Sequence, residues 1–246
     1  MATSVFITAA GTSRRFGTGF VKQLLPINHE PIIQRTIRQV MSMMPDAKVY
    51  VLTWHDALLT IKDVTVIDTK TRPKELADTI LLSMPYWTER NIVLMGDTVF
   101  GDAALRTILF HPDDAVTIFA RNSYLSGHKP GSERFALFFI SKHADYVKAV
   151  LHRASSVLGS IGETGHSGMR KICYATRPGW QIQFITNTPI NPVIRPARDF
   201  ILYHIIKDRF WQPALPAKLE IINDMVTTDI DNWEEYFAYI RSGVQG

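Results

Sequence analysis

The chain has 246 residues, of which 46% are hydrophobic and 20% charged, and this composition is ordinary for a globular protein that forms one α/β domain over residues 1–246. It contains neither an apolar run of roughly 18 residues nor an N-terminal signal peptide, so we expect a cytoplasmic protein with no membrane partner. The net charge of +4 is mild, and no basic stripe interleaved with aromatic residues indicates a nucleic-acid partner.

Apolar runs alternate with helical patterns along the chain, which is typical of βα units and predicts a three-layer α/β fold with a mostly parallel sheet. The predicted strands are Ser4–Thr8, Lys48–Thr53, Val64–Ile67, Asn91–Met95, Ala115–Ala120 and Arg134–Ile140. The predicted helices are Pro31–Met44, Pro73–Trp87, Asp102–Phe110 and Lys142–Arg153. Further on, we expect a mobile loop, then extended segments with turns, then a helix, over Ser155–Gly168, Arg177–Arg198 and Arg198–Trp211.

The first predicted strand opens into a loop of small and basic residues. The loop reads Ala9-Ala10-Gly11-Thr12-Ser13-Arg14-Arg15-Phe16-Gly17, and Lys22 follows closely. Backbone amides of such loops form concavities for anions, and Arg and Lys side chains offer a planar fork and a point charge to phosphate oxygens. The segment therefore predicts a binding site for a nucleoside triphosphate.

This loop matches neither the dinucleotide fingerprint nor the Walker loop. It resembles the A-A-G-x-G-x-R signature, followed by P-K-Q or P-K and then G-x-P, of nucleotidyltransferases with a Rossmann-like (GT-A-like) fold. Ser13 stands where that family usually has its second Gly, Val21 where it has Pro, and Glu30 where it has the Gly before Pro. A positive φ at Ser13 would be strained, because the residue has a Cβ atom.

The resemblance implies roles for the residues of this first motif. Arg15 and Lys22 fall at the family's catalytic Arg and Lys and would neutralise the triphosphate and the departing pyrophosphate. The nucleotide-binding residues would be Ala9, Ala10, Gly11, Thr12, Ser13 and Arg14. Surface charge is the alternative role for Lys22, which we expect to be exposed and to contribute little to stability.

One further residue bears on recognition of the base. Thr79 lies near the start of the predicted middle helix and falls at a hydroxyl position that reads the base in the cytidylyltransferases of this type. An exposed helix threonine is the alternative.

Two acidic segments point to a metal site. Asp97 follows a continuous apolar strand that ends in Gly96, which places a carboxylate at the edge of the sheet where α/β proteins bind ligands. Asp229-Ile230-Asp231 precedes a predicted C-terminal helix and is similar to the family's acidic ending. The resemblance implies that Asp97 and Asp231 hold Mg²⁺, with the role of Asp229 open. Helix capping is the alternative for both Asp97 and Asp231.

These three motifs occur in the family's order over nearly the whole chain, and they imply transfer of a nucleotidyl group from a nucleoside triphosphate to a phosphorylated small molecule, with release of pyrophosphate. The Lys22-Gln23 pair favours the cytidylyltransferase branch and the acidic ending favours the sugar-phosphate branch. We therefore expect CTP or UTP as donor and a phosphorylated sugar or polyol as acceptor.

Two alternatives stay open: a GT-A glycosyltransferase that uses a nucleotide-sugar, and a catalytically inactive nucleotide-binding module. A homo-oligomer is compatible with each of them.

The region beside the predicted Gly-rich loop offers candidates for the acceptor site. Arg170 and Lys171 are placed to clamp a phosphate, although a solvated basic turn explains them equally well. Cys173 is the only cysteine and so cannot form a disulfide within the chain, and the histidines have no zinc-binding spacing.

Overall fold

The computed structural model describes residues 1–11, 13, 16–17, 20–73, 76–112, 116–122, 132–149, 151–152, 155, 217–222, 227–230 and 232–242. Its strands are β1 (Thr3–Thr8), β2 (Pro26–Ile27), β3 (Glu30–Pro31), β4 (Lys48–Thr53), β5 (Thr65–Asp68), β6 (Arg90–Met95), β7 (Thr98–Val99), β8 (Val116–Asn122), β9 (Ser132–Ile140), β10 (Ala217–Ile221) and β11 (Thr228–Asp229). Its α-helices are α1 (Ile32–Met43), α2 (Asp56–Leu59), α3 (Leu76–Leu81), α4 (Asp102–Leu109) and α5 (Trp233–Arg241). Residues 144–149 and 151–152 are helical as well, and 3-10 turns span Lys22–Leu24, Met84–Tyr86 and Ser141–His143.

Seven strands form the central sheet in the order β10-β8-β9-β6-β1-β4-β5. β9 runs antiparallel to both of its neighbours, β6 and β8, whereas every other neighbouring pair in this sheet is parallel. Every residue of β1 is buried, so both faces of the sheet are covered at its centre, as a three-layer arrangement requires. The predicted α/β fold with a mostly parallel sheet is confirmed.

Two short two-stranded ribbons lie outside the central sheet. β2 and β3 form a hairpin whose turn residues, Asn28 and His29, both have a positive φ, as in the type I′ turns that match strand twist. β7 pairs with β11 in antiparallel fashion, which joins the segment after β6 to the C-terminal part of the chain.

Among the residues that the structure describes, the buried apolar side chains form two clusters. The larger one fills the layers on the central sheet, with strand residues such as Val5, Leu52 and Leu94 at no measurable exposure. The smaller one, here called the second core, consists of Phe16, Leu25, Ile27, Ile32, Val99 and Ile230, with Phe20, Tyr236 and Tyr239 packed against it. The second core thus joins the loop after β1 to β7, β11 and α5.

Six predicted strands are present with small shifts at their ends, but the predicted helix over Pro73–Trp87 is wrong in extent. The structure has the short helix α3 and, after it, a 3-10 turn at Met84–Tyr86. Pro85 explains the break, because proline lacks an N–H group and clashes with the preceding helical turn. The side chain of Ser83 stabilises the end of the helix, because its hydroxyl donates to the carbonyl oxygen of Ile80 (2.6 Å) and accepts from Trp87 Nε1 (2.8 Å).

Other predictions fall largely outside the described residues. Ser155, the first residue of the predicted loop, is helical, and the remainder of that loop and the segments 177–198 and 198–211 lie outside them. In the part of the chain that is described, no helix has both the length and the apolar character needed to cross a bilayer.

Candidate active site

The order of the strands places a switch in direction beside β1, and the space outside the strand ends at this point is here called the crevice. The chain leaves β1 toward β4 on one side, whereas β6 lies on the other side and leads on to β8 and β9. Parallel sheets bind ligands at such a switch in direction, outside the carboxyl ends of the strands. Thr8 at the end of β1 is aligned with Met95 of β6 and Leu52 of β4. The loop that begins at Ala9 therefore lies between the ends of β6 and β4.

Gly96 allows the end of β6 to lie close to the end of β1. Its N–H donates to the carbonyl oxygen of Thr8 at 2.9 Å. A Cβ atom at this position would lie 2.7 Å from the same oxygen, which is closer than van der Waals contact permits. Glycine is therefore required here, and Asp97 follows directly at the mouth of the crevice.

Lys22 and Asp97 form an ion pair in this crevice. Lys22 Nζ lies 2.5 Å from Asp97 Oδ2, and the two side chains are 9% and 20% exposed. The prediction that Lys22 is exposed is wrong, because the carboxylate at the end of β6 gives its ammonium group a partner away from bulk water. The two residues, predicted for different roles from separate motifs, thus meet at one point.

Ser13 adopts the positive φ that its place in the motif predicts, with a value of +49°. Its hydroxyl oxygen accepts a hydrogen bond from the backbone N–H of Lys22 (3.0 Å), and its carbonyl oxygen accepts one from Phe16 N–H (2.8 Å). A glycine could not make the first of these bonds. The serine side chain therefore offsets some of the backbone strain and fixes the start of the 3-10 turn that carries Lys22.

Three consecutive side chains, from the last residue of β4 and the two residues after it, hold three consecutive carbonyl groups of the loop. The pairs are Thr53 Oγ1 to Ala9 O (3.1 Å), Trp54 Nε1 to Ala10 O (3.0 Å) and His55 Nε2 to Gly11 O (2.7 Å). The rings of Trp54 and His55 also pack together, with centroids 4.3 Å apart. The sequence reasoning missed these anchors; polar-tipped residues directly after a buried strand were the signal that could have pointed to them.

The acidic ending lies beside Asp97. Asp229 on β11 is aligned with Thr98 on β7, and the N–H of Ile230 donates to the carbonyl oxygen of Asp97 at 3.3 Å. Asp231, the next residue, lies outside the described residues. The pairing of β7 with β11 thus brings the backbone of the third motif to the second, as a shared site requires.

The helix cap of α5 is provided by Asn232. Its side-chain oxygen accepts a hydrogen bond from Glu235 N–H at 2.9 Å. The N-cap position of this helix, which the sequence analysis offered to Asp231 as an alternative role, is therefore held by Asn232.

Helix α5 also holds the loop after β1. Trp233 Nε1 donates to the carbonyl oxygen of Phe16 (3.4 Å), and the rings of these two residues meet edge to face with centroids 5.1 Å apart. Tyr236 OH donates to the carbonyl oxygen of Pro26 at 2.9 Å, close to the turn that carries Lys22. The C-terminal helix is thus part of the framework of the site.

Thr79 lies in α3 and is only 3% exposed. The alternative of an exposed helix threonine is therefore wrong. Helix α3 packs against β1 and β4, the two strands whose ends bound the loop. Its neighbour Asp78 accepts a hydrogen bond from the hydroxyl of Ser155, which ties α3 to the helical residues after β9.

Several predicted site residues lie outside the described residues. These are Thr12, Arg14, Arg15 and Asp231, together with the acceptor candidates Arg170 and Lys171 and the cysteine Cys173. Of the predicted nucleotide-binding residues, the structure describes Ala9, Ala10, Gly11, Ser13 and Thr79; of the predicted catalytic and metal-binding residues, it describes Lys22 and Asp97.

The chain is similar to known proteins both in its sequence and in its fold. Residues 5–176 match the family of MobA-like NTP transferase domains. No curated protein shows significant similarity to the chain. Similar solved structures include the CTP:phosphocholine cytidylyltransferase of Streptococcus pneumoniae, with 13% identity, a TM-score of 0.56 and coverage of 99% of this chain and 100% of that one.

Two further structures share the fold. A putative glucose-1-phosphate thymidylyltransferase of Bacillus anthracis has 13% identity, a TM-score of 0.59 and coverage of 100% of this chain and 97% of that one. A Mycobacterium tuberculosis protein solved as a manganese complex has 13% identity, a TM-score of 0.56 and coverage of 98% and 100%.

The match over residues 5–176 shows that the chain belongs to the family of MobA-like NTP transferase domains. It is therefore a nucleotidyltransferase with a Rossmann-like fold, and the resemblance drawn from its three motifs is confirmed.

Proposed function

We propose that the protein transfers a nucleotidyl group from CTP or UTP to a phosphorylated sugar or polyol and releases pyrophosphate. The observation that carries this proposal is the meeting of Lys22 and Asp97 beside the amide-bearing loop after β1, at the switch point of the sheet. The crevice offers a cation, a carboxylate and backbone amides within one small space. Such a set suits a triphosphate better than a neutral ligand.

The reaction needs little acid or base catalysis from the protein. An acceptor phosphate oxygen forms a bond to the α-phosphorus while the bond from that phosphorus to the bridging oxygen of pyrophosphate breaks. A phosphate monoester has a second pKa near about 6 and is mostly a dianion at neutral pH, so no strong base is required. The protein must instead bring two polyanions together and neutralise the charge that develops on the leaving group.

We assign these needs to residues of the sequence motifs. Lys22 and Arg15 would neutralise the triphosphate and the departing pyrophosphate. The backbone at Ala9, Ala10 and Gly11, together with Thr12, Ser13 and Arg14, would hold the nucleotide, and Thr79 would contribute to recognition of the base. The backbone N–H groups of Ala10 and Gly11 donate no hydrogen bond to any residue that the structure describes. Within that part of the chain, both donors are therefore available to a ligand.

A divalent cation fits the donor set. Asp97 already faces a cation, the Lys22 ammonium, and the backbone of Asp229 is aligned with Thr98 next to it. Asp97 and Asp231 would hold the ion, which we propose to be Mg²⁺. Mg²⁺ prefers one or two carboxylates plus substrate oxygens, and Asp97 and Asp231 would supply the carboxylates. Such an ion would supply positive charge at the transferred phosphate. The manganese complex of the structural neighbour supports a divalent ion.

Pyrophosphate release tests the proposal directly. The wild-type protein is assayed with each of four nucleoside triphosphates against a panel of sugar phosphates and polyol phosphates, with Mg²⁺ or Mn²⁺. We expect release that depends on CTP or UTP, on one acceptor and on the cation. Glycosyl transfer from a nucleotide-sugar without pyrophosphate, or nucleotide binding without any product, would each contradict the proposal.

Two variants test the assigned residues. Asp97→Asn should lower kcat/KM by about 100-fold or more, and Lys22→Met by more than about tenfold, because each removes a preorganised charge from the transition state. The matched controls are Asp46→Asn and Lys62→Met, which change exposed residues away from the sheet edge that carries the site. Equal rates in a site variant and its control would refute that residue's assignment.

A further inference from the structure

We infer that Thr53, Trp54 and His55 form a positioning element for nucleotide binding, which acts by holding the carbonyl groups of the loop after β1. This inference rests on the proposed function, because it assigns the loop amides to the nucleotide. The three side chains come from β4 and the residues after it, on the side of β1 opposite to β6 and Asp97. None of the three belongs to the motifs that identify the family.

Peptide geometry connects these anchors to the ligand side of the loop. In a trans peptide the carbonyl group of one residue and the N–H group of the next point in opposite directions. When Thr53 holds Ala9 O and Trp54 holds Ala10 O, the N–H groups of Ala10 and Gly11 must therefore point away from β4. These are the two amides that make no hydrogen bond to a described residue. The anchors thus orient both donors before a ligand arrives.

The third anchor, His55, carries a hydrogen on the ring nitrogen that faces the loop. The carbonyl oxygen of Gly11 can only accept a hydrogen bond, so Nε2 of His55 must carry the hydrogen in the 2.7 Å contact. Gly11 itself is exposed, and the nearest described atom to a Cβ atom built there is Gln23 Nε2, at 4.0 Å. Packing against the described residues therefore does not fix this end of the loop, and the bond from His55 supplies a constraint.

The positioning role predicts a particular kinetic pattern. Loss of one anchor leaves Lys22, Asp97 and the acceptor side in place but lets a loop peptide rotate. The Kd and KM for the nucleoside triphosphate should rise, whereas the KM for the acceptor phosphate should stay within about twofold. One lost hydrogen bond corresponds to about a three- to tenfold change.

The test uses the full chain, with calorimetry of CTP and UTP binding and with steady-state kinetics. Trp54→Phe and His55→Phe each remove the donor and keep an aromatic ring, and both should raise the Kd for the nucleotide about three- to tenfold. His55→Gln keeps an N–H donor at a similar reach and should restore the Kd to within about twofold of wild type. Trp87→Phe is the control. It removes an indole hydrogen bond of similar length, 2.8 Å, which Trp87 donates to Ser83 just beyond the C-terminal end of α3 and away from the loop after β1.

The outcomes separate this inference from the proposed function. An unchanged nucleotide Kd in both Trp54→Phe and His55→Phe would overturn the inference, as would an equal rise in Trp87→Phe. Failure of His55→Gln to restore binding would overturn the role given to the His55 N–H. If the wild-type protein binds CTP or UTP but releases no pyrophosphate with any acceptor, the proposed function fails, and the Kd pattern still decides the inference. A wild-type protein that binds no nucleotide overturns both.

Discussion

Replacing Lys22 by methionine should destabilise the protein, because Asp97 would keep its charge in a crevice without its cation. The ion pair has an Nζ to Oδ2 distance of 2.5 Å, with side chains only 9% and 20% exposed. Methionine keeps most of the length of the lysine stem, so loss of charge dominates over loss of packing. Asp97→Asn is the complementary change, and the double variant closes a thermodynamic cycle.

The expected size follows from the burial of the pair. Removal of one partner from a fully buried ion pair costs about 3–5 kcal/mol, whereas a surface pair contributes about 0–1 kcal/mol. Asp97 retains some contact with water, so we expect about 2 kcal/mol for Lys22→Met. For a chain of this size, about 2 kcal/mol corresponds to a decrease in Tm of roughly 4–8 °C. In the double variant, we expect at least about 1 kcal/mol of coupling between the two sites.

Urea and thermal unfolding of wild type, both single variants and the double variant provide the measurement. Lys70 and Asp68 offer a matched control cycle, since their ion pair has a similar distance of 2.8 Å but Lys70 is 82% exposed. Because that pair is exposed, its coupling should be much smaller than the coupling between Lys22 and Asp97. If the Lys22 and Asp97 variants are additive within about 0.5 kcal/mol, or if Lys22→Met leaves Tm unchanged, the pairing and the reasoning from burial are refuted.

Further changes test other parts of the site. Gly96→Ala should destabilise the protein by about 1–3 kcal/mol and reduce activity, because its Cβ would lie 2.7 Å from the carbonyl oxygen of Thr8; normal Tm and kcat/KM would contradict this. Ser13→Ala should raise the KM for the nucleotide and lower stability by about 1 kcal/mol, because the residue keeps its positive φ but loses its hydroxyl acceptor; an unchanged KM would contradict this. Arg38 hydrogen-bonds Glu30 and lowers the pKa of that carboxyl, so the folded state binds its proton more weakly than the unfolded state. Glu30→Gln should therefore be less stable than wild type at neutral pH, with a difference that disappears as the pH falls below about 4; a difference that persists in acid would refute the assignment.

The fold was largely predictable because buried parallel strands form continuous apolar runs. β4 has the predicted bounds, and β1 and β6 differ by one residue at their starts. β10 was missed although its residues alternate, with Ala217, Leu219 and Ile221 separated by charged residues. The two-residue strands β7 and β11 have no such pattern, because their pairing depends on contacts between distant parts of the chain.

The site was predictable in composition and less so in geometry. Motif spacing brought Lys22 and Asp97 into one hypothesis, but polarity alone predicted an exposed lysine, and only the meeting of two distant segments buries it. The anchors from Trp54 and His55 join residues 44 positions apart, and a periodicity argument does not reach such contacts. Local patterns therefore identified the groups that we propose contact the ligand, but they did not identify the side chains that hold these groups in place.

The second core joins segments that lie far apart in the sequence, and this separation affects when the loop after β1 gains its supports. Trp233 contacts Phe16 across 217 residues and Tyr236 contacts Pro26 across 210, so the loop after β1 depends on a helix that is synthesised long after it. Contacts between residues so far apart in the sequence form late in folding, because the entropy of closing a long loop is lost before the contact can stabilise the chain. The parallel strands β1, β4, β5 and β6 can assemble while the ribosome is still adding the C-terminal part, yet the loop would lack its last supports. Nascent chains interrupted before residue 227 should therefore acquire the central sheet and still bind nucleotide poorly, so that competence for the reaction arrives only after α5 has been made.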